Sequence, residues 1–152
     1  LSAHLSETCD VLGINHKMGG TYVCIEGPQF SSLAESNFYR SLNADVIGMT
    51  NMPEAKLARE AEICYSTLAL STDYDCWHPD HENVSVDQVI ETMNVNIENA
   101  KQILKSATDD FDLEKDSYID NALKGSIISS LDSIQEDSLE KLSAIIRKYL
   151  LS

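Results

Sequence analysis

Three short stretches decide the fold of this chain: GTYVCIEGPQFSS at residues 20–32, ADVIGMTNMPE at 44–54 and LSTDYDCW at 70–77. Each starts in, or directly follows, a β-branched or apolar run, which favours a strand, and each then turns polar. We therefore predict three strands, over 21–25, 45–49 and 63–72.

Helix signals alternate with these strands. Ser32 and Glu35 form a capping box, S-x-x-E, which opens a helix to about residue 41. Thr50 or Asn51 offers a cap for the next helix, in whose first turn Pro53 fits. We predict helices over 1–12 with Gly13 as the stop, 32–41, 53–62, 85–104 from a second capping box at Ser85–Gln88, 117–131 and 137–150.

Strands that alternate with helices predict an α/β fold, a sheet covered on both faces. Three strands are few for such a sheet and would leave broad apolar edges exposed. We therefore expect further strands upstream, so that residues 1–152 form the C-terminal portion of one larger domain. The expected architecture is part of a mixed sheet flanked by helices, with a helical tail over 117–152.

Composition excludes several classes of partner. The formal net charge is -14, and so acidic a surface repels nucleic acid and anionic lipid. No apolar run approaches the roughly 20 residues that a membrane helix needs. No cationic, apolar leader opens the chain, so the cytoplasm is the expected compartment.

Two aspartates end the third apolar run. Asp73 and Asp75 are two residues apart, and extended geometry places both on one face. Two carboxylates held close do not both ionise cheaply, so one keeps its proton near neutral pH. A neutral carboxyl group can then donate a hydrogen bond to a ligand while its ionised partner accepts one. A solvated pair at the end of a strand is the alternative.

Other residues near the strand ends invite similar pairs of interpretations. Thr50 precedes a predicted helix, where free N–H groups stabilise an anion, or it is a plain cap. Phe30 follows a Gly-Pro turn, where it is either a core aromatic or a ring that stacks on a ligand. We expect no cofactor. A zinc site from Cys76, His78 and His81 is not expected either, because their spacing matches no closed structural site. Cys24 and Cys64 are expected to be reduced and buried.

Taken together, the three stretches, in this order and spacing, resemble the trimeric nucleoside phosphorylases that cleave purine nucleosides. The resemblance covers residues 10–105, is dense over 20–77 and is loose in the tail. It implies the phosphorylase-type mixed sheet, a homotrimer with shared sites, and inorganic phosphate as co-substrate.

The resemblance also implies roles for single residues. It places Phe30 against the purine face, Met49 beneath the ribose, and Thr50 on the phosphate. Ser31 and Asp73 match the branch that cleaves S-methyl-5'-thioadenosine, since the 6-oxopurine enzymes place an acidic residue and Asn there. Asp73 is then the general acid toward the departing adenine, and Asp75 tunes it and binds the amino group.

The expected reaction is phosphorolysis of S-methyl-5'-thioadenosine to adenine and 5-methylthioribose 1-phosphate, in purine and methionine salvage. The glycine-rich turn and the Arg-His pair that hold phosphate in relatives are not matched. We therefore expect activity only together with a missing N-terminal half. Alternatives are another purine nucleoside or S-methyl-5'-thioinosine phosphorylase, a hydrolytic nucleosidase, or a non-catalytic remnant that serves as an interaction module.

Overall fold

A computed structural model describes residues 1–78, 86–109, 111–112 and 118–150. The chain divides into two compact units: Leu1–Met52 with Ser66–Leu113, and Pro53–Tyr65 with Glu114–Ser152. In the first unit helices accompany a small parallel sheet, which confirms the predicted α/β class.

The sheet of the first unit has two strands in the described residues, β1 (Tyr22–Cys24) and β2 (Val46–Gly48). They run parallel, with Tyr22 opposite Val46 and Cys24 opposite Gly48. Parallel neighbours need a crossover connection, and α2 (Leu33–Ser41) supplies it. The carboxyl ends of β1 and β2 therefore lie side by side.

α2 begins at the predicted capping box. The Ser32 hydroxyl accepts from the Glu35 backbone N–H, and the Glu35 carboxylate accepts from the Ser32 N–H at 2.8 Å. These bonds to Ser32 lower the pKa of Glu35. The box fixes the position at which α2 leaves the turn after β1.

Two long helices supply most of the core of the first unit. α1 (Ser2–Leu12) ends at Gly13, whose φ of 67° is the left-handed cap that the sequence predicts. α1 packs against α4 (Val86–Asp109). Cys9 on α1 and Ile103 and Ala107 on α4 are buried.

The second unit holds α3 (Glu54–Glu60) and α5 (Glu136–Leu150). Glu62, directly after α3, accepts from the Leu123 N–H at 2.9 Å, from Tyr149 Oη and from Lys148 Nζ. Its side chain is only 6% exposed. This carboxylate therefore fixes α5 onto the segment that follows α3.

The strand predicted over 63–72 is wrong. The sheet in the described residues consists of β1 and β2, and residues 63–72 are not part of it. A run of apolar residues becomes a strand only when a neighbouring strand satisfies its backbone, and here no described segment does so. Cys64 is correspondingly exposed and Cys24 only half-buried, so the prediction that both are buried is also wrong.

Two helix predictions also need correction. Residues 117–131 do not form one helix: the described part has short 3₁₀ turns, Tyr118–Asn121 and Leu131–Ser133, separated by Gly125 with φ of 76°. Thr50 and Asn51 do not cap α3, whose cap position is Pro53 without a side-chain hydrogen bond. The helices over 1–12, 32–41, 53–62 and 137–150 are confirmed to within two residues at their ends, whereas the helix predicted over 85–104 continues to Asp109.

Ser85, the first residue of the second predicted capping box, lies outside the described residues. His81 also lies outside them. None of the described helices has the combination of length and apolarity that crossing a membrane requires.

Candidate active site

The turns that follow β1 and β2 touch each other. A Cβ added to Gly27, where φ is 72°, would lie 2.6 Å from Met49 Sδ. Gly27 therefore provides the space into which the Met49 side chain packs. The first residue after β2 thus lies directly against the turn that leads to Phe30 and Ser31.

The segment 71–78 carries both predicted acids. Asp73 is exposed, and its Oδ1 accepts from Thr72 Oγ1 at 2.6 Å. Asp75 is half-buried, and its Oδ1 accepts from the Cys76 backbone N–H at 2.9 Å. The second carboxylate oxygen of each residue accepts no bond from a described donor. Both acids therefore keep hydrogen-bonding capacity for a ligand.

This segment is held beside the start of α2. Cys76 Sγ donates to the Ser31 carbonyl oxygen at 3.5 Å. The Arg40 guanidinium lies 3.7 Å from the centre of the Trp77 ring. The segment with Asp73 and Asp75 and the turn with Phe30 and Ser31 are therefore neighbours, although they are more than 40 residues apart in sequence.

Ser31 has a polar atom that is unpaired within the described residues, and Phe30 has an exposed ring. Ser31 Oγ is buried and has no hydrogen-bond partner in the described part of the chain. Burial of an unpaired hydroxyl costs free energy, so such an atom invites a polar partner. Phe30 is 86% exposed, which contradicts its alternative interpretation as a core aromatic.

Thr50 is exposed and lies four residues before α3. The expectation that Thr50 lies at a helix N-terminus, where it would bind an anion, is wrong, because α3 begins only at Glu54. Thr50 directly follows Met49 at the end of β2, and that position is what keeps it a candidate.

Sequence reasoning did not foresee three of these contacts: Met49 on Gly27, Cys76 on Ser31, and Arg40 on Trp77. Ser32, Ser36 and Arg40 are spaced by four and share one face of α2, which was the available signal. This spacing shows that the three side chains share a face of α2, but it does not identify the residues that they contact.

The sequence model of the Phosphorylase superfamily matches residues 1–109. The chain belongs to the Phosphorylase superfamily. It is 52% identical over 140 residues to an S-methyl-5'-thioadenosine phosphorylase of Koribacter versatilis, and 49% identical over 150 residues to one of Geobacter sulfurreducens. These alignments cover 92% and 99% of this chain but 48% and 52% of the relatives, so the chain spans about half their length.

Solved phosphorylase structures have the same fold. A methylthioadenosine phosphorylase from an antarctic soil metagenomic library superimposes with a TM-score of 0.84 at 44% identity, covering 94% of this chain and 51% of that one. A methylthioadenosine phosphorylase of Schistosoma mansoni in complex with adenine gives 0.67 at 30% identity, covering 80% and 48%.

Proposed function

We propose that this chain supplies the purine and ribose side of a phosphorylase that converts S-methyl-5'-thioadenosine and phosphate into adenine and 5-methylthioribose 1-phosphate. The observation that carries the proposal is the 52% identity to a protein of that activity over 92% of this chain. The contacts between the turn at Ser31 and the segment at Asp73 support it.

The chemistry assigns a role to each acid. A phosphate oxygen attacks the anomeric carbon, the bond from that carbon to purine N9 breaks, and its electron pair moves into the base. Asp73 donates a proton to purine N7 and so neutralises the departing adenine, which is general-acid catalysis. Asp75 accepts from the exocyclic amine through a carboxylate oxygen.

The open hydrogen-bonding groups fit this assignment. Asp73 and Asp75 each retain an oxygen without a described donor, and Ser31 Oγ is buried without a partner. Phe30 offers an exposed ring to a purine face, and Met49, which packs against Gly27 in the turn that leads to Phe30, offers a flexible apolar side chain. A flat apolar base with polar edges meets both requirements.

In our proposal this chain provides only part of the groups that bind phosphate. Thr50 supplies a hydroxyl at the end of β2, and inorganic phosphate is the co-substrate without a further cofactor. Arg40, one of three arginines, is engaged with Trp77. We propose that the remaining phosphate ligands come from the half of the relatives that this chain does not match.

An exposed apolar stripe on α4 supports the need for that half. Ile90, Met93, Ile97 and Leu104 recur at helical spacing and are 50%, 44%, 37% and 53% exposed. Monomeric proteins rarely leave such a stripe uncovered. The homotrimer and the cytoplasmic compartment stay predictions.

The decisive assay uses a chimera in which this chain replaces the matching half of the Geobacter relative. We expect adenine release from S-methyl-5'-thioadenosine that requires phosphate and yields 5-methylthioribose 1-phosphate. The isolated chain, assayed in parallel, should be inactive.

Other outcomes correct the proposal in a defined way. Adenine release without phosphate would indicate a hydrolytic nucleosidase. Faster cleavage of S-methyl-5'-thioinosine would move the chain to the 6-oxopurine enzymes. Adenine binding without turnover in the chimera would support the non-catalytic interaction module.

A further inference from the structure

We infer that Arg40 and Trp77 are positioning residues: their stack fixes the segment 71–78 on α2 and so holds Asp73 and Asp75 in place for the purine. This inference rests on the proposed function, since it concerns how the same acids are oriented. Neither residue is proposed to touch the substrate.

The segment needs such a device because it has no sheet to hold it. Residues 63–72, which precede the acids, form no strand pairing within the described residues. Side-chain contacts hold the segment at both ends instead. Asn96 Nδ2 on α4 donates to the Ser71 carbonyl at 2.7 Å, and Cys76 Sγ donates to the Ser31 carbonyl at 3.5 Å.

The stack of Arg40 on Trp77 is the contact best suited to set the orientation. A guanidinium 3.7 Å from a ring centre is within cation–π range, and Trp is the best ring for this interaction. Arg40 lies in the last turn of α2, and Ser31 directly precedes Ser32, the N-cap residue of the same helix. One helix thus holds the turn with Ser31 and the segment with the acids.

The aromatic rings around Trp77 make the segment a packed turn. Tyr74 lies between the two acids in sequence, and its ring centre is 4.5 Å from that of His78 and 6.0 Å from that of Trp77. A change at Trp77 is therefore expected to act on Tyr74, the residue between the two acids.

The test compares Arg40→Gln with Arg59→Gln. Both arginines occupy the last turn of a helix, α2 and α3 respectively, so the two changes remove the same charge from equivalent positions. Trp77 is the single tryptophan of the chain, so acrylamide quenching of its fluorescence reports the stack directly. Adenine affinity is measured on the full-length chimera carrying each change.

We expect Arg40→Gln to raise acrylamide quenching of the isolated chain and to weaken adenine binding by the chimera about threefold to tenfold. Arg40→Lys keeps a cation over the ring and should recover part of both effects. Arg59→Gln should change neither. Circular dichroism should show unchanged helix content in all three.

Three results would overturn the inference. Unchanged quenching in Arg40→Gln would mean that the stack is not made in solution. Raised quenching with unchanged adenine affinity would mean that the stack exists but positions nothing. A parent chimera that binds no adenine would refute the proposed function, and the positioning role with it.

Discussion

Glu62 and the pair Asp73 and Asp75 differ in how much of their hydrogen-bonding capacity is used within the chain. Glu62 in the second unit is nearly inaccessible and accepts from Lys148, Tyr149 and the Leu123 N–H. Asp73 and Asp75 in the first unit each accept one bond from an immediate neighbour in sequence. Burial and three donors leave Glu62 little capacity for a ligand, whereas an acid with an open, accessible oxygen can still bind one.

The charge on Glu62 is correspondingly fixed. Burial alone would raise its pKa, but the hydrogen bonds from Lys148, Tyr149 and Leu123 outweigh burial and lower it from 4.5 to about 2. The same contact with Glu62 raises the pKa of Lys148. Glu62 is therefore a structural anion, and the contrast predicts that its removal affects folding while removal of Asp73 affects chemistry.

The largest effect is expected from Asp73→Asn in the chimera. Loss of the general acid should lower kcat/KM for S-methyl-5'-thioadenosine by about 10²–10⁴-fold. Cleavage of inosine-type substrates should fall less, because Asn can donate to a keto oxygen. Steady-state kinetics with both substrates measure the change.

Asp132→Asn, which removes the same charge from an exposed position in the second unit, serves as its control. An Asp73→Asn protein that kept both its rate and its preference would remove Asp73 from the mechanism.

Glu62→Gln should act on stability and its pH dependence. A carboxylate whose folded pKa is lowered stabilises the protein above its unfolded pKa, and this stabilisation is lost as pH falls through the folded value. The unfolding free energy of the unmodified chain should therefore fall between about pH 4.5 and pH 2. Urea unfolding across that range should show a shallower fall for Glu62→Gln.

Glu60→Gln, on the exposed end of α3, provides the matched control and should keep the original slope. Equal slopes for all three proteins would show that the hydrogen bonds to Glu62 are not made in solution.

The smallest expected effect is that of Gly27→Ala. Gly27 and Gly125 both have positive φ, so alanine at either should cost about 1–2 kcal/mol of unfolding free energy. Only at Gly27 would the new Cβ meet Met49, whereas Gly125 has nothing within 4 Å. In the chimera, Gly27→Ala should therefore also raise KM for the nucleoside, and Gly125→Ala should not. If Gly27→Ala and Gly125→Ala had equal KM values for the nucleoside, Met49 would not contact the ribose.

The elements that sequence predicts here are those fixed by local chemistry. The capping box of Ser32 and Glu35 and the left-handed Gly13 act within four residues, so both appear as predicted. β1 and β2 pair because α2, itself locally specified, crosses between them.

The failures depend on partners that local pattern does not contain. Residues 63–72 have the apolar composition of a strand, but no described segment pairs with them. In the tail, Gly125 and the serine-rich stretch after it end what periodicity extends as a helix. The site residues at 30–31, 49–50 and 73–75 stay predictions from the sequence. The contacts that bring the segment 71–78 to the turn at Ser31, from Arg40 and Cys76, were not predictable from it.

The most direct test of the Asp73 assignment is a crystal structure of the chimera with adenine. We expect an Asp73 carboxyl oxygen at hydrogen-bonding distance, about 2.6–3.2 Å, from purine N7, with Phe30 against the ring. An Asp73 side chain directed into solvent, with adenine bound elsewhere, would contradict it.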